Sequence, residues 1–261
     1  MLNKIFLTLF FCLLAGCATS PTGRSQLIYM SDSEMSQMGL QAFDQLKTQK
    51  PKSKNVRYIN FVNCIAEAIT QETGGDWEVV VFEDDSLNAF ALPGNKIGVH
   101  TGLIKMVDNQ DQLAAVIGHE VGHVLARHSN ERMSQKTAVK LGVTAVSAAV
   151  GTPTSALGQL GMSALGLGAQ YGIILPFSRT HESEADIIGL DLMAKAGFDP
   201  RQSVNLWQKM AQASKGQSPS EFMSTHPSHD TRIKELSEHI PKAMQYYQHA
   251  QSIGKIPHCS K

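Results

Sequence analysis

The pattern His-Glu-x-x-His occupies residues 119–123, and on a helix this spacing is typical of a metal site. His119 and His123 are one helical turn apart on the same side, so both imidazoles can bind one metal ion. Glu120 lies beside them, where its carboxylate can accept a proton from a water whose pKa zinc lowers to about 7. These residues predict a zinc-dependent peptide hydrolase.

The flanking sequence indicates that this pattern lies on a helix. Asp108 and Asn109 are a helix start signal, and apolar residues then recur at helical spacing: Leu113, Val116, Ile117, Val121, Val124 and Leu125. The five-residue pattern also arises by chance in long chains. The alternative is therefore an amphipathic helix with two surface histidines and an ordinary glutamate.

A catalytic zinc ion needs a third protein ligand and an open position for water. The metzincin arrangement would need a glycine at position 126 and a histidine at position 129, but Ala126 and Ser129 stand there. His128 is one residue away from the required place. It is expected to face away from the pair, in solvent or behind the ligands.

A second helix can supply a carboxylate as the third ligand. Glu182 and Asp186 are four residues apart, so they share one helical face. Glu182 can bind zinc, while Asp186 can accept the outer N–H of a ligating histidine and so fix its tautomer. The alternative is a charged helix start, where acidic residues favour the positive end of the helix dipole.

Several motifs together resemble those of the HtpX-like and prenyl-protein (CAAX) endopeptidases, a family of gluzincin zinc peptidases. They lie in the family's order between about residues 55 and 240. They are Asn88-Ala89-Phe90-Ala91-Leu92-Pro93-Gly94, Thr101-Gly102-Leu103-Ile104, the zinc helix, the run from Ser178 to Asp186, and Thr225-His226-Pro227 with Arg232 beyond it. The resemblance implies one zinc ion per chain, held by His119, His123 and Glu182. It implies Glu120 as the general base and Asp186 as outer support.

The resemblance carries two further residues into the site. The His226 imidazole could stabilise a tetrahedral oxyanion or occupy the open zinc position in a resting form; the alternative is a surface-loop histidine. Arg232 is expected to pair with the oxyanion, the substrate or Glu182. Its alternative is a solvated helix residue.

The predicted fold class is α+β, mainly α: a gluzincin domain over residues 31–245 with a small sheet beside the zinc helix. Strands are expected at 77–82, 90–92 and 96–100, the last two forming a hairpin, and helices at 31–47, 56–72, from 199 and from 231, the last bending or breaking near Pro241. A short tail follows, over 246–261. Asn88, Ala89 and Phe90 are assigned to binding of the substrate backbone, because an extended peptide can add to such a strand. The alternative is a buried strand end.

The N-terminus predicts export and lipid attachment. Residues 1–16 combine a cationic start, an apolar run too short to span a membrane, and the box Leu14-Ala15-Gly16-Cys17 of a lipoprotein signal peptide. Cys17 would carry the lipid, followed by a polar tether over 17–30. Bacterial lipoproteins with this box are exported, and Ala18 is not the aspartate of a retention signal. The resemblance to them therefore implies the outer membrane, facing the periplasm, as the location. An uncleaved anchor or a buried helix is the alternative.

Residues 141–178 contain no charged side chain. The segment could form two membrane helices, which would make the chain an inner-membrane peptidase. Because its residues are small and only weakly apolar, buried helices or a hydrophobic lid beside the cleft are favoured.

The net charge is zero and no basic stripe stands out in the sequence, so nucleic-acid binding has no electrostatic support. Cys64 and Cys259 would be the two cysteines of the mature chain outside the lipid site. In an oxidising compartment they could form a disulfide, and otherwise Cys64 is buried and Cys259 is a free thiol.

The combined prediction is a zinc endopeptidase of the bacterial cell envelope. The resemblance implies that its substrates are unfolded or mis-assembled envelope proteins, and its membrane contact would be the lipid anchor. The alternative from another class is a zinc-stabilised envelope chaperone or assembly adaptor. In that protein the peptidase site would be largely closed, with His226 as a fourth ligand.

Overall fold

The computed structural model describes residues 17–150, 175–213, 226 and 230–261. The chain divides into two compact units. The smaller unit combines residues 1–31 with 127–181, and the larger unit combines 32–126 with 182–261. The predicted signal peptide, 1–16, lies outside the described residues.

The described chain is mainly helical, with two small sheets, and this confirms the predicted α+β class. In chain order the elements are β1 (Cys17–Thr19), β2 (Ser25–Leu27), α1 (Asp32–Gln49), α2 (Val56–Thr70), β3 (Glu78–Phe82), β4 (Ala89–Leu92), β5 (Lys96–His100), α3 (Thr101–Met106), α4 (Gln110–Leu125), α5 (His128–Val150), α6 (Leu175–Lys195), α7 (Arg201–Ala213) and α8 (Asp230–Ser252).

The sheet of the larger unit has β5 at its centre, parallel to β3 and antiparallel to β4. The predicted hairpin is therefore confirmed. It turns at Gly94 and Asn95, whose φ angles of 84° and 61° lie in the left-handed region that these two residue types tolerate. Residues on β4 alternate between two faces: Ala89 is buried in the core, and the Phe90 ring stacks 6.0 Å from Phe82.

Helices α2 and α4 supply much of the core of the larger unit. Each begins at an asparagine side chain that caps backbone N–H groups: Asn55 for α2, and Asn109 for α4 through Gln112. The predicted start of the zinc helix is thus confirmed. The fully buried apolar residues of the two helices recur at helical spacing and include Phe61, Val62, Ile65, Ile69, Leu113, Ile117 and Val121.

The C-terminal segment is attached to the larger unit. Helix α8 continues through Pro241 to Ser252, so of the bend or break predicted near Pro241 the break is not found, and the tail predicted over 246–261 is helical up to Ser252. Leu236 and Ala243, on either side of the proline, are buried, and their packing offsets the one backbone hydrogen bond that a proline removes.

A disulfide joins Cys64 on α2 to Cys259, 195 residues away in the sequence. Beside it, the Cys259 N–H donates to the Gln110 side chain (2.7 Å), which itself donates to the Pro257 carbonyl (2.9 Å). Gln110 is the first residue of α4, so the C-terminal segment holds the start of the zinc helix.

Replacing Cys64 and Cys259 with Ser is expected to lower the free energy of unfolding by about 2–4 kcal/mol, because the cross-link restricts the unfolded chain. Urea denaturation checks this. A reductant should lower the stability of the unchanged protein to that of the double variant and leave the variant itself unaffected. Equal stability of the two proteins without reductant would contradict the expectation.

In the smaller unit, residues 17–27 form a hairpin within the polar tether predicted for 17–30. Cys17 pairs with Leu27 across β1 and β2. The physical reason is Glu131, a buried carboxylate on α5 that accepts two hydrogen bonds of 2.7 Å from Arg24 and one of 2.9 Å from Gln26. Burial raises the pKa of Glu131, but the hydrogen bonds from Arg24 and His181 lower it by more than burial raises it, and the resulting pKa is about 2.

His128 is buried, and its ring stacks 4.3 Å from that of His181. The prediction that His128 lies in solvent is therefore wrong.

The uncharged segment 141–178 is described only at its two ends, which belong to α5 and α6; residues 151–174 lie outside the described residues. Among the described residues, no helix combines the length and the apolar character that crossing a membrane requires.

Candidate metal centre

Two helices meet unusually closely in the larger unit, because glycines face each other where they touch. A Cβ atom on Gly118 of α4 would lie 2.7 Å from the carbonyl oxygen of Gly189 on α6. A Cβ atom on Gly189 would lie 2.5 Å from the backbone nitrogen of His119. Both approaches are too short for a side chain, so glycine is what lets the two backbones touch. This contact brings Glu182 on α6 to the histidines of α4.

His119, His123 and Glu182 converge on one point. The two histidine Nε2 atoms are 3.0 Å apart, and the Glu182 carboxylate lies 3.4 Å from His119 and 3.5 Å from His123. His119 and Glu182 are buried, while His123 is half-buried. The three side chains that the sequence assigned to one metal ion are therefore together.

His226 also contributes a nitrogen to this cluster. Its Nδ1 atom lies 3.2 Å from Nε2 of His119 and 3.0 Å from a Glu182 oxygen. Ligand atoms from His119, His123, Glu182 and His226 all lie within 4.8 Å of one another. His226 therefore lies where its ring could bind a metal ion together with the other three side chains. The alternative of a surface-loop histidine is wrong.

Asp186 supports the cluster as expected: its Oδ1 atom lies 2.9 Å from Nδ1 of His119. Arg232 donates two hydrogen bonds of 2.6 Å to the same carboxylate, and its Nη1 atom lies 3.1 Å from Glu182. The Arg232 side chain is only 1% exposed, so the solvated alternative is wrong. Arg232 was expected to pair with an oxyanion, with the substrate or with Glu182, and the structure shows the contact with Glu182. Arg232 thus contacts both Glu182, one of the predicted ligands, and Asp186, the carboxylate next to another predicted ligand, His119.

The guanidinium of Arg232 also stacks on the indole ring of Trp207. The guanidinium carbon lies 3.9 Å from the centre of the indole ring, and the ring meets His119 edge-on at 5.9 Å. Such a stacked cation is stabilised by the ring's negative face, most strongly when water is excluded. In the sequence Trp207 is one of several apolar residues at helical spacing, and nothing there separates it from ordinary core.

Glu120 lies next to the cluster with one oxygen available. Its Oε2 atom accepts a hydrogen bond of 3.2 Å from the Ala91 N–H, whereas its buried Oε1 atom makes no hydrogen bond within the described part of the chain. Oε1 is 3.4 Å from Nε2 of His226. Burial raises the pKa of Glu120 above its usual range. A buried, basic oxygen beside the ligands is what a general base requires.

The charges of the cluster favour a cation. Burial lowers the pKa of His119, but its hydrogen bonds with Asp186 and Glu182 outweigh burial and raise the pKa to about 9. Burial raises the pKa of Glu182, but contacts with His119 and His226 hold it well below its usual range. The ionised carboxylate and the converging imidazoles together form the nitrogen and oxygen donor set that suits zinc. The residues present therefore fit a divalent metal ion.

The backbone of β4 alternates between two neighbours. The Asn88 carbonyl accepts a hydrogen bond of 3.0 Å from His100, and the register pairs Phe90 with Gly98, so these residues bond towards β5. Ala91 points the other way, as its bond to Glu120 shows, and the alternation places the Ala89 backbone on the same side. The sequence assigned Asn88, Ala89 and Phe90 to binding of the substrate backbone. Of these three, Ala89 has its backbone groups on the side away from β5, and Ala91 shares that side with it. The two-residue alternation of a strand could have indicated this.

Comparisons with known proteins agree with this geometry. The family model described as "Peptidase family M48" matches residues 53–240. The chain is 42% identical over 169 residues to the mitochondrial metalloendopeptidase OMA1 of Schizosaccharomyces pombe, covering 64% of this chain and 48% of that protein. It is 35% identical over 188 residues to the Saccharomyces cerevisiae protein of the same name, covering 67% and 50%. It is 33% identical over 217 residues to the beta-barrel assembly-enhancing protease of Yersinia pestis, covering 80% and 43%. The chain spans about half the length of these curated relatives.

Proposed function

The chain belongs to peptidase family M48, and on that premise we propose that it is a zinc endopeptidase. The observation that carries the proposal is the cluster of His119, His123, Glu182 and His226, with a buried Glu120 oxygen beside it. The narrower likeness to HtpX-like and CAAX endopeptidases rests on the sequence motifs. The relatives named above are OMA1 proteins and a beta-barrel assembly-enhancing protease.

His119, His123 and Glu182 would hold the metal ion, with Asp186 and Arg232 orienting them. When bound, zinc supplies a Lewis acid that polarises the scissile carbonyl and makes water more acidic. Glu120 takes a proton from the attacking water on its Oε1 atom and delivers it to the leaving amine. The Ala91 N–H holds the other oxygen of Glu120, so the carboxylate does not need to reorient during proton transfer.

An extended substrate would add to β4. In the described chain β4 pairs with a strand on one side only, and its outer backbone groups at Ala89 and Ala91 are next to Glu120. Main-chain hydrogen bonds to the N–H and C=O of Ala89 and to the C=O of Ala91 would hold a peptide alongside the catalytic carboxylate without reading its side chains, while the Ala91 N–H stays on Glu120. This arrangement suits unfolded proteins of varied sequence.

The position of His226 supports the second candidate function, an adaptor whose peptidase site is closed. With His226 in the donor set, four side chains could surround the metal and leave no place for a carbonyl. Glu120 argues for the enzyme, because a closed zinc site needs no general base. We favour an enzyme in which His226 occupies the open position in a resting form.

Replacing His226 with Ala is therefore expected to increase the rate at which the purified protein cleaves an unfolded protein such as reduced casein, because a position on the metal is freed. Fragment formation on gels measures the rate, and a chelator should abolish it. His239→Ala, which removes a histidine paired with Asp191 (2.7 Å), is the matched control. Cleavage by neither the unchanged protein nor the variant would favour the adaptor.

The biological role we propose is quality control in the bacterial cell envelope, with unfolded or mis-assembled envelope proteins as substrates. The support is the similarity to the beta-barrel assembly-enhancing protease of Yersinia pestis, together with the lipoprotein box ending at Cys17.

The proposed location is the outer membrane, with a lipid on Cys17 and the enzyme facing the periplasm. Density-gradient separation of the two membranes should place the protein in the outer-membrane fraction. Cys17→Ser should remove the protein from that fraction, because the variant cannot receive the two or three acyl chains that firm anchoring to the membrane needs. The same fractionation of the unchanged protein tests the remaining alternative, since an inner-membrane peptidase spanning through 141–178 would be found in the inner-membrane fraction.

A further inference from the structure

The zero net charge of the chain conceals a strong separation of charge between the two units. Residues 1–31 and 127–181 contain seven Lys and Arg residues and a single acidic residue, Glu131. Residues 32–126 and 182–261 contain the other sixteen Lys and Arg residues and twenty-two acidic ones. The smaller unit therefore has a formal charge of +6 and the larger unit −6, which the sum over the whole chain hides.

Part of the positive charge of the smaller unit forms a stripe on α5, so the expectation that the chain has no basic stripe is wrong. Arg132, Lys136 and Lys140 follow one another at intervals of four residues, so they share one face of the helix, and all three are exposed. Glu131, the one carboxylate of this unit, lies on the buried face of α5 and is bound by Arg24. It does not neutralise the stripe. Exposed Arg179 on α6 adds a fourth cation.

The sequence around these cations indicates what they meet. Lys140 directly precedes the uncharged segment 141–178, and Arg179 directly follows it. Cations that bracket an uncharged, weakly apolar segment are typical of the headgroup level of a membrane, where they pair with lipid phosphates. The proposed lipid site, Cys17, belongs to the same compact unit.

We propose that the basic face of α5 (Arg132, Lys136 and Lys140), helped by the exposed Arg179 of the same unit, docks on the phosphate headgroups of an anionic membrane surface. A nucleic acid also carries phosphates, but neither the uncharged segment nor the lipoprotein box would serve nucleic-acid binding. The lipid on Cys17 would hold the protein near the membrane, while the basic face would set which side of it meets the headgroups. The inference is independent of the peptidase reaction and uses the lipid on Cys17 only as support.

The test is flotation of the purified full chain with lipid vesicles. All proteins carry Cys17→Ser, so none is lipidated and the apolar residues 1–16 contribute equally to each. One variant combines Arg132→Gln, Lys136→Gln and Lys140→Gln. The matched control combines Arg57→Gln, Lys234→Gln and Lys242→Gln, which remove the same charges from exposed helix positions of the larger unit. Vesicles are phosphatidylcholine alone or phosphatidylcholine mixed with phosphatidylglycerol.

Each cation near an anionic surface strengthens partition about fivefold, so the α5 variant should bind the mixed vesicles about a hundredfold more weakly than the control. Lys136→Gln alone should weaken binding about fivefold, and it keeps the result interpretable if the triple variant misfolds. Added salt should weaken the control more than the α5 variant. Inorganic phosphate at the same ionic strength should compete no better than chloride does.

Three results would overturn the proposal. One is equal partition of the α5 variant and the control into the mixed vesicles. Another is equal binding of the control to both vesicle types. The third is binding of a DNA duplex by the control as tightly as it binds the mixed vesicles, together with loss of DNA binding in the α5 variant. That result would identify a general polyanion site. None of these results bears on peptide cleavage, which is measured without membranes.

Discussion

Replacing Glu120 with Gln is expected to lower kcat for cleavage of an unfolded protein by about 10²–10⁴-fold, the usual contribution of a positioned general base. Gln has the size of Glu, and its amide oxygen can still accept the hydrogen bond from Ala91. It cannot take a proton from water. The loss should therefore appear in kcat, with the zinc content unchanged, because the proposed ligands remain in place.

Glu67→Gln is the matched control for this experiment, since it makes the same change on the exposed surface of α2. The control should keep full activity. If the Glu120→Gln protein retained its zinc and cleaved at the rate of the control, Glu120 would not be the base. The proposed mechanism would then have to be abandoned, although the metal site could stand.

Removal of the Glu182 carboxylate by Glu182→Ala is expected to weaken zinc binding by more than about 100-fold, since loss of an outer-sphere partner alone costs 10–100-fold. Of the proposed ligands, Glu182 is the one outside the His-Glu-x-x-His pattern, so it depends most on the approach of α6 to α4. Zinc per chain after dialysis against a competing chelator measures the change. Thermal unfolding gives a second readout, because a metal that binds only the folded chain raises Tm.

Asp191→Ala is the matched control on the same helix. It removes a carboxylate paired with His239 outside the metal cluster, and it should leave both zinc binding and the zinc-dependent Tm shift intact. In the Glu182→Ala protein the shift should vanish, whereas Arg232 keeps its buried partner Asp186, which preserves the fold. An unchanged zinc content in the Glu182→Ala protein would show that a different third ligand completes the site.

The sequence alone was sufficient for features that depend on local spacing. A separation of four residues places His119 beside His123, and Glu182 beside Asp186, on any helix. Helix caps and turn residues act within a few positions, which is why Asn109 and the turn at Gly94 and Asn95 were predictable. The hairpin and the zinc helix needed no knowledge of the remainder of the chain.

Only the tertiary structure decided which distant groups meet. Gly118 and Gly189 are 71 residues apart, and their close contact results from the packing of two whole helices, which no local pattern contains. The same holds for Arg232, which is buried between Asp186 and the ring of Trp207, and for the Ala91 N–H that holds Glu120. Each of these contacts forms only when elements far apart in the sequence pack together.

The sequence by itself therefore determined the chemistry available to this protein: two imidazoles, a carboxylate base and a carboxylate ligand on helical faces. The tertiary structure decided their convergence, the burial that makes Glu120 more basic, and the position of His226 among the ligands. The physical reason is that side-chain spacing along a helix is set by backbone geometry, whereas distances between helices are set by the packing of the whole core.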